Sequence, residues 1–122
     1  MYSKEAMDHF QNPKNMGVIA GATVVGEVSN PVCGDMMKIY LKISDNEVIE
    51  DISFETLGCV AAIATSSMIT ELAKGKTLKE AEAIEFKDVE QALGTLPPIK
   101  VHCAHLSVEA LRKAINKYRE AK

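Results

Sequence analysis

Hydrophobic and polar positions divide the chain into a strand-forming half and a helix-forming half. Near the start, Ser3 is placed to cap a helix running to about Phe10, with Ala6, Met7 and Phe10 as its apolar stripe. Asn12-Pro13 ends that helix, and Lys14 to Gly21 reads as a loop. Thr23 to Val28 reads as a strand. Met37, Ile39, Leu41 and Ile43 then alternate with Lys38, Tyr40, Lys42 and Ser44, the period of a half-buried strand. After the turn signal Asp45-Asn46, Ile52, Phe54 and Thr56 alternate with Asp51, Ser53 and Glu55. Three strands with short connections predict an antiparallel meander covered on one face.

From Cys59 onward the period becomes helical. Ala61, Ala64, Thr65, Met68 and Leu72 share a face, and Lys74-Gly75 closes the helix. Thr77 and Glu80 have capping-box spacing and start a short helix to about Ala83. Phe86 to Leu93 forms another, and Pro97-Pro98 breaks the chain. A final helix starts near Val101, with Leu106, Leu111, Ile115 and Tyr118 inward and Glu109, Arg112, Lys113, Asn116 and Glu120 outward. Strands followed by helices imply an α+β fold: a small three-stranded antiparallel sheet with helices packed on one face. With 122 residues and no linker or repeat, residues 1–122 are expected to form one domain.

Composition narrows the chemistry. Hydrophobic residues are 47% of the chain, enough for a core without disulfides, while aromatics are 5%. A net charge of -3 and the lack of any basic run argue against nucleic acid as the main partner. No apolar run approaches the roughly 18 residues of a membrane helix. Met1 to Ala6 lacks the apolar core of a signal peptide, so the expected compartment is the cytoplasm.

The three cysteines are the candidate chemistry. In a reducing compartment an odd number points to metal binding, catalysis or plain burial. Cys33 lies in Asn30-Pro31-Val32-Cys33-Gly34-Asp35, a turn sequence, and Asp35 is placed to face the same way. Cys59 follows Gly58 at the predicted start of the long helix, where N–H groups favour a thiolate. Cys103 follows His102 in Leu96-Pro97-Pro98-Ile99-Lys100-Val101-His102-Cys103. On a helical turn these two lie about 100° apart, which suits adjacent or alternative ligands better than joint binding of one ion. All three cysteines fall at turns or helix starts, where function concentrates, and none lies on a regular apolar face. His105 is expected to serve the surface or packing, and His9 to face solvent.

Together these segments resemble the iron–sulfur cluster scaffold family of IscU and the N-terminal domain of NifU. The matching pieces are Asn30 to Asp35, Gly58-Cys59 with the Ala-Ile-Ala-Thr-Ser-Ser that follows, and Leu96 to Cys103. The opening Tyr2-Ser3 through Asn12-Pro13 and Asn15-Met16-Gly17 extend the likeness over nearly the whole chain. The resemblance implies a scaffold, not a turnover enzyme, on which a [2Fe–2S] cluster is built from iron and persulfide sulfur. It implies Cys33, Asp35, Cys59, His102 and Cys103 as cluster ligands, with Cys103 as the persulfide acceptor. It also implies a cysteine desulfurase, a ferredoxin-like electron donor and acceptor apoproteins as partners, and an Hsp70-type chaperone recognising Leu96 to Lys100. Two departures stand out: Ile99 replaces the family's usual Val, and Val-Ala-Ala follows Cys59 where smaller residues are common. Zinc accepts the same donors and is the metal of the related SufU sulfur acceptors. Those typically carry an insertion before the last cysteine and lack the preceding histidine, so His102 and the uninterrupted region from Gly75 to Leu96 favour the IscU type.

Overall fold

The structure, a computed structural model, describes residues 3–29, 36–57, 60–94 and 101–121, and at Val60, Ala61 and Val101 to Ala104 the backbone alone. In chain order the elements are α1 (Lys4–Gln11), β1 (Val24–Ser29), β2 (Met36–Ile43), β3 (Ile49–Leu57), α2 (Val60–Ala73), α3 (Leu78–Glu82), α4 (Phe86–Leu93) and α5 (Val101–Glu120). The strands form one antiparallel sheet in the order β1-β2-β3, the expected meander.

Register follows from the alternating pattern. Val24, Gly26 and Val28 pair with Leu41, Ile39 and Met37, which in turn pair with Ile52, Phe54 and Thr56. This set faces the helices, and Met37, Ile39, Leu41, Ile52 and Phe54 are fully buried. A slip of one residue would turn all of them to the other face. That other face is not wholly open. Ser53 Oγ donates to Gly17 O at 2.8 Å, and Gly17 N and Phe54 O are joined at 2.8 Å. The segment after α1 thereby binds the free edge of β3 and covers part of the outer face. On that face Tyr40, paired across the strands with Ser53, is only 9% exposed.

The long helix α2 departs from the amphipathic expectation. Ala62 and every residue from Ala64 to Thr70 are buried, because α1, α4, α5 and β3 all pack around it. The sequence carries the signal in another form: no charged residue occurs between Val60 and Thr70, the mark of a helix buried all round. Its hydroxyls are satisfied locally or by the segment around α1. Ser66 Oγ donates to Ala62 O at 2.6 Å, and Thr70 Oγ1 donates to Ser67 O at 2.7 Å.

The caps fall where the sequence places them. Ser3 Oγ accepts from Ala6 N at 3.0 Å and also donates to Leu93 O, so the start of α1 caps the end of α4. Gly94 has φ of 85° and lies against Ser3, a position with neither the dihedral nor the space for a larger residue. Thr77 and Glu80 form the reciprocal capping box of α3. His9 differs from expectation: it is half-buried, with Nδ1 2.7 Å from Ser67 Oγ.

Candidate functional site

The site begins with the direction of α5. Lys117 Nζ donates to Val25 O at 3.3 Å, and Gly26 lies against Ala110 and Ala114. Glu109 and Lys113 share a surface recess with Glu27, Val28 and Ser29. Helix α5 therefore runs antiparallel to β1, and its N-terminus points past Ser29. His102 and Cys103 lie seven and six residues before Glu109, or about 10 Å further along the axis at 1.5 Å per residue.

The same end of the sheet carries three other chain points. Ser29 pairs with Met36, and Met36 pairs with Leu57. Adjacent strands lie about 4.8 Å apart, so these three positions span about 10 Å. Between Ser29 and Met36 runs the segment with Cys33 and Asp35, and between Leu57 and Val60 the segment with Cys59. Cys33, Asp35 and Cys59 themselves lie outside the described residues, as do Leu96 to Lys100. His102 and Cys103 lie in the first turn of α5, where the backbone alone is described.

Around this end the described side chains are of two kinds. Leu57 is 69% exposed, with Met16 and Val18 among the other exposed apolar residues. One row further along the outer face, Glu27, Lys38 and Glu55 are aligned across the three strands. Tyr40 donates its hydroxyl to Glu55. That bond, then burial, then the negative charges of Glu55 and Glu27 hold the phenol above the ordinary tyrosine value. Among the described residues no group of three His, Cys, Asp or Glu could hold a metal ion.

Two features near α5 are structural and escape a reading of the cysteines alone. The ring of His105 stacks on Phe86, with centroids 4.2 Å apart and planes at 27°. Gly26 permits a contact too close for any Cβ. An isolated glycine inside an alternating strand is the available sequence signal for the second. No comparable short-range signal exists for the first.

A three-stranded antiparallel meander with helices on its inner face, and with Ser29, Met36, Leu57 and the start of α5 gathered at one end, defines an α+β domain. The comparisons make this specific. The NifU-like N terminal domain family model matches residues 1–122. The chain is 59% identical over 118 residues to iron–sulfur cluster assembly scaffold protein IscU 1 of Archaeoglobus fulgidus, covering 97% of this chain and 76% of that protein. It is 45% identical over 130 residues to IscU of Escherichia coli strain K12, covering 99% and 98%. Among solved structures, a candidate SUF-system iron–sulfur cluster assembly scaffold protein of Fervidobacterium islandicum superposes with TM-score 0.79 at 27% identity, over 93% of this chain and 96% of that one. The N-terminal part of a NifU-like protein from Brucella abortus shares the fold, with TM-score 0.78 at 21% identity over 98% and 95%. The chain belongs to the NifU N-terminal domain family, and its IscU relatives are the nearer in sequence of these.

Proposed function

We propose that this chain is a scaffold on which an iron–sulfur cluster is assembled and from which it is passed to acceptor apoproteins. The observation that carries this is the convergence of Ser29, Met36, Leu57 and the start of α5 at one end of the sheet, together with identity to IscU scaffold proteins over almost the full chain. Covalent reach keeps Cys59 within about 7 Å of Leu57 and Cys33 within about 11 Å of Met36. Cys33, Asp35, Cys59, His102 and Cys103 are the ligand set we assign.

The donor chemistry suits cargo that must leave. Clusters held for electron transfer usually have four thiolates, and this chain has three cysteines. The remaining position falls to Asp35 or His102, and a carboxylate oxygen is a poor match for a sulfur-bridged iron. A [2Fe–2S] cluster fits this set. Zinc takes the same donors, so zinc in the apo form accords with the scaffold role.

Sulfur enters as a persulfide. The Cys103 thiolate attacks the terminal sulfur of a cysteine desulfurase persulfide, which leaves the desulfurase as thiolate and Cys103 as the persulfide. Two electrons from a ferredoxin-like donor cleave the new S–S bond, releasing sulfide and restoring the Cys103 thiolate. The free N–H groups of the first α5 turn favour the anionic sulfur at both stages. The protein acts here as acceptor and platform, with residues 1–122 as one domain in the cytoplasm, and Leu96 to Lys100 as the sequence an Hsp70-type chaperone would recognise. No helix among the described residues is long and apolar enough to cross a membrane.

Anaerobic reconstitution with Fe(II), cysteine and a cysteine desulfurase tests the proposal. The scaffold reading expects a visible-absorbing cluster that then activates an apo-ferredoxin. A zinc-retaining protein that relays persulfide and takes up no cluster would instead support the SufU type of sulfur acceptor.

A further inference from the structure

Three contacts at seven-residue intervals tie α5 to the stretch from the last residue of α3 to the first of α4. His105 stacks on Phe86, Arg112 Nη2 donates to Ile84 O at 3.0 Å, and Arg119 pairs with Glu82. Seven residues are close to two helical turns, so His105, Arg112 and Arg119 form one stripe along α5. Their partners Phe86, Ile84 and Glu82 run in the opposite direction, so the segment lies antiparallel along the helix like a strap. Its last contact falls beside the turn that carries His102 and Cys103: His105 is three residues from one and two from the other. Phe86 is itself fixed. It opens α4, whose start is held by Asp88 Oδ2 accepting from Glu85 N at 2.9 Å, and it packs on the core.

We infer that His105 is a positioning residue, which through its ring stack on Phe86 sets the α5 turn bearing His102 and Cys103 against the end of the sheet. Backbone bonds alone leave a helix's first turn free to fray, since its N–H groups have no partners within the helix. A ring stack one turn in suppresses that fraying and fixes the turn's rotation about the axis. The role rests on the scaffold reading only in what the turn is for; the brace is a property of the apo protein.

The test uses the full chain with His105→Ala, Phe86→Leu and His105→Phe. Alkylation of Cys103 by iodoacetamide is followed by mass spectrometry, with Cys33 and Cys59 as internal references. Amide exchange is measured over residues 101–106, and visible circular dichroism is recorded after cluster reconstitution. His105→Ala and Phe86→Leu should change the Cys103 rate relative to the other two cysteines by about three- to tenfold, the size of one aromatic pair, and speed exchange over 101–106. His105→Phe should restore both, because it keeps the stack and removes the imidazole. A His105→Ala protein with wild-type alkylation and exchange would overturn the inference. So would His105→Phe behaving like His105→Ala, since the imidazole and not the stack would then be the active feature. If the wild-type protein takes up no cluster, the scaffold proposal fails, while alkylation and exchange still decide the brace.

Discussion

Gly26 of β1 and Ala114 of α5 meet with no space for a methyl group between them: a Cβ on Gly26 would lie 2.7 Å from both Ala114 Cβ and Ala114 N, and 2.6 Å from Ala110 O. Two of those three atoms are backbone, so the helix as a whole would have to move. The contact sets the distance between sheet and helix at the element that carries His102 and Cys103. Gly26→Ala should destabilise the fold by about 2 kcal/mol, in the range of overpacked sites. Urea unfolding of the two proteins checks this, and cluster occupancy should fall with the displaced helix.

Ser67 joins the first part of the chain to α2. Its Oγ accepts from Lys14 N at 2.7 Å and lies 2.7 Å from His9 Nδ1, at a fully buried position. Ser67→Ala strands the Lys14 amide and should cost about 1–3 kcal/mol. The Lys14 amide should also exchange faster, a local effect that amide exchange resolves from global loss of stability.

Different pairs should contribute to acid and to alkaline stability. The backbone N–H of Thr77, and after it the Thr77 hydroxyl, hold Glu80 below the ordinary glutamate value. A depressed carboxyl stabilises the fold above its unfolded pKa, and this is lost as the pH falls through the folded one. Glu80→Gln should flatten the acid limb of a melting-temperature profile. Tyr40, raised chiefly by its bond to Glu55, behaves oppositely. Its contribution is complete below the ordinary tyrosine value and is lost as the pH rises through the folded one, so Tyr40→Phe should flatten the alkaline limb.

In the proposed scaffold, Asp35 is the element that makes the bound cluster labile. Asp35→Ala should slow transfer of a preformed cluster to an apo-ferredoxin by about tenfold, or about 1.4 kcal/mol of barrier. Transfer kinetics at equal cluster loading check this, and an unchanged rate would remove the role.

Much of this architecture was legible because local signals agree with one another. The alternation of Met37, Ile39 and Leu41, the Thr77/Glu80 box and the extent of Phe86 to Leu93 all follow from short-range patterns that the packed fold respects. What escaped depends on contacts between distant segments. Ser53 on the outer face is bonded to Gly17, 36 residues earlier, and His9 is tied to a hydroxyl 58 residues away. The all-round burial of α2 arises from several neighbours at once, which a search for a single apolar face does not anticipate. Of the ligand set, sequence context singled out each residue separately. The fold adds that their flanking positions share one end of the sheet, through a strand register and a helix direction that no local motif encodes.

In the scaffold we propose, three thiolates from three separate segments hold one cluster. Anaerobic reconstitution of Cys33→Ser, Cys59→Ser and Cys103→Ser in parallel with the wild-type chain, read as iron and sulfide bound per chain together with the visible spectrum, tests it most directly. Each single substitution should lower occupancy or shift the sulfur-to-iron absorption, and Cys103→Ser should also abolish persulfide acceptance. Any one of the three retaining wild-type stoichiometry and spectrum would contradict it.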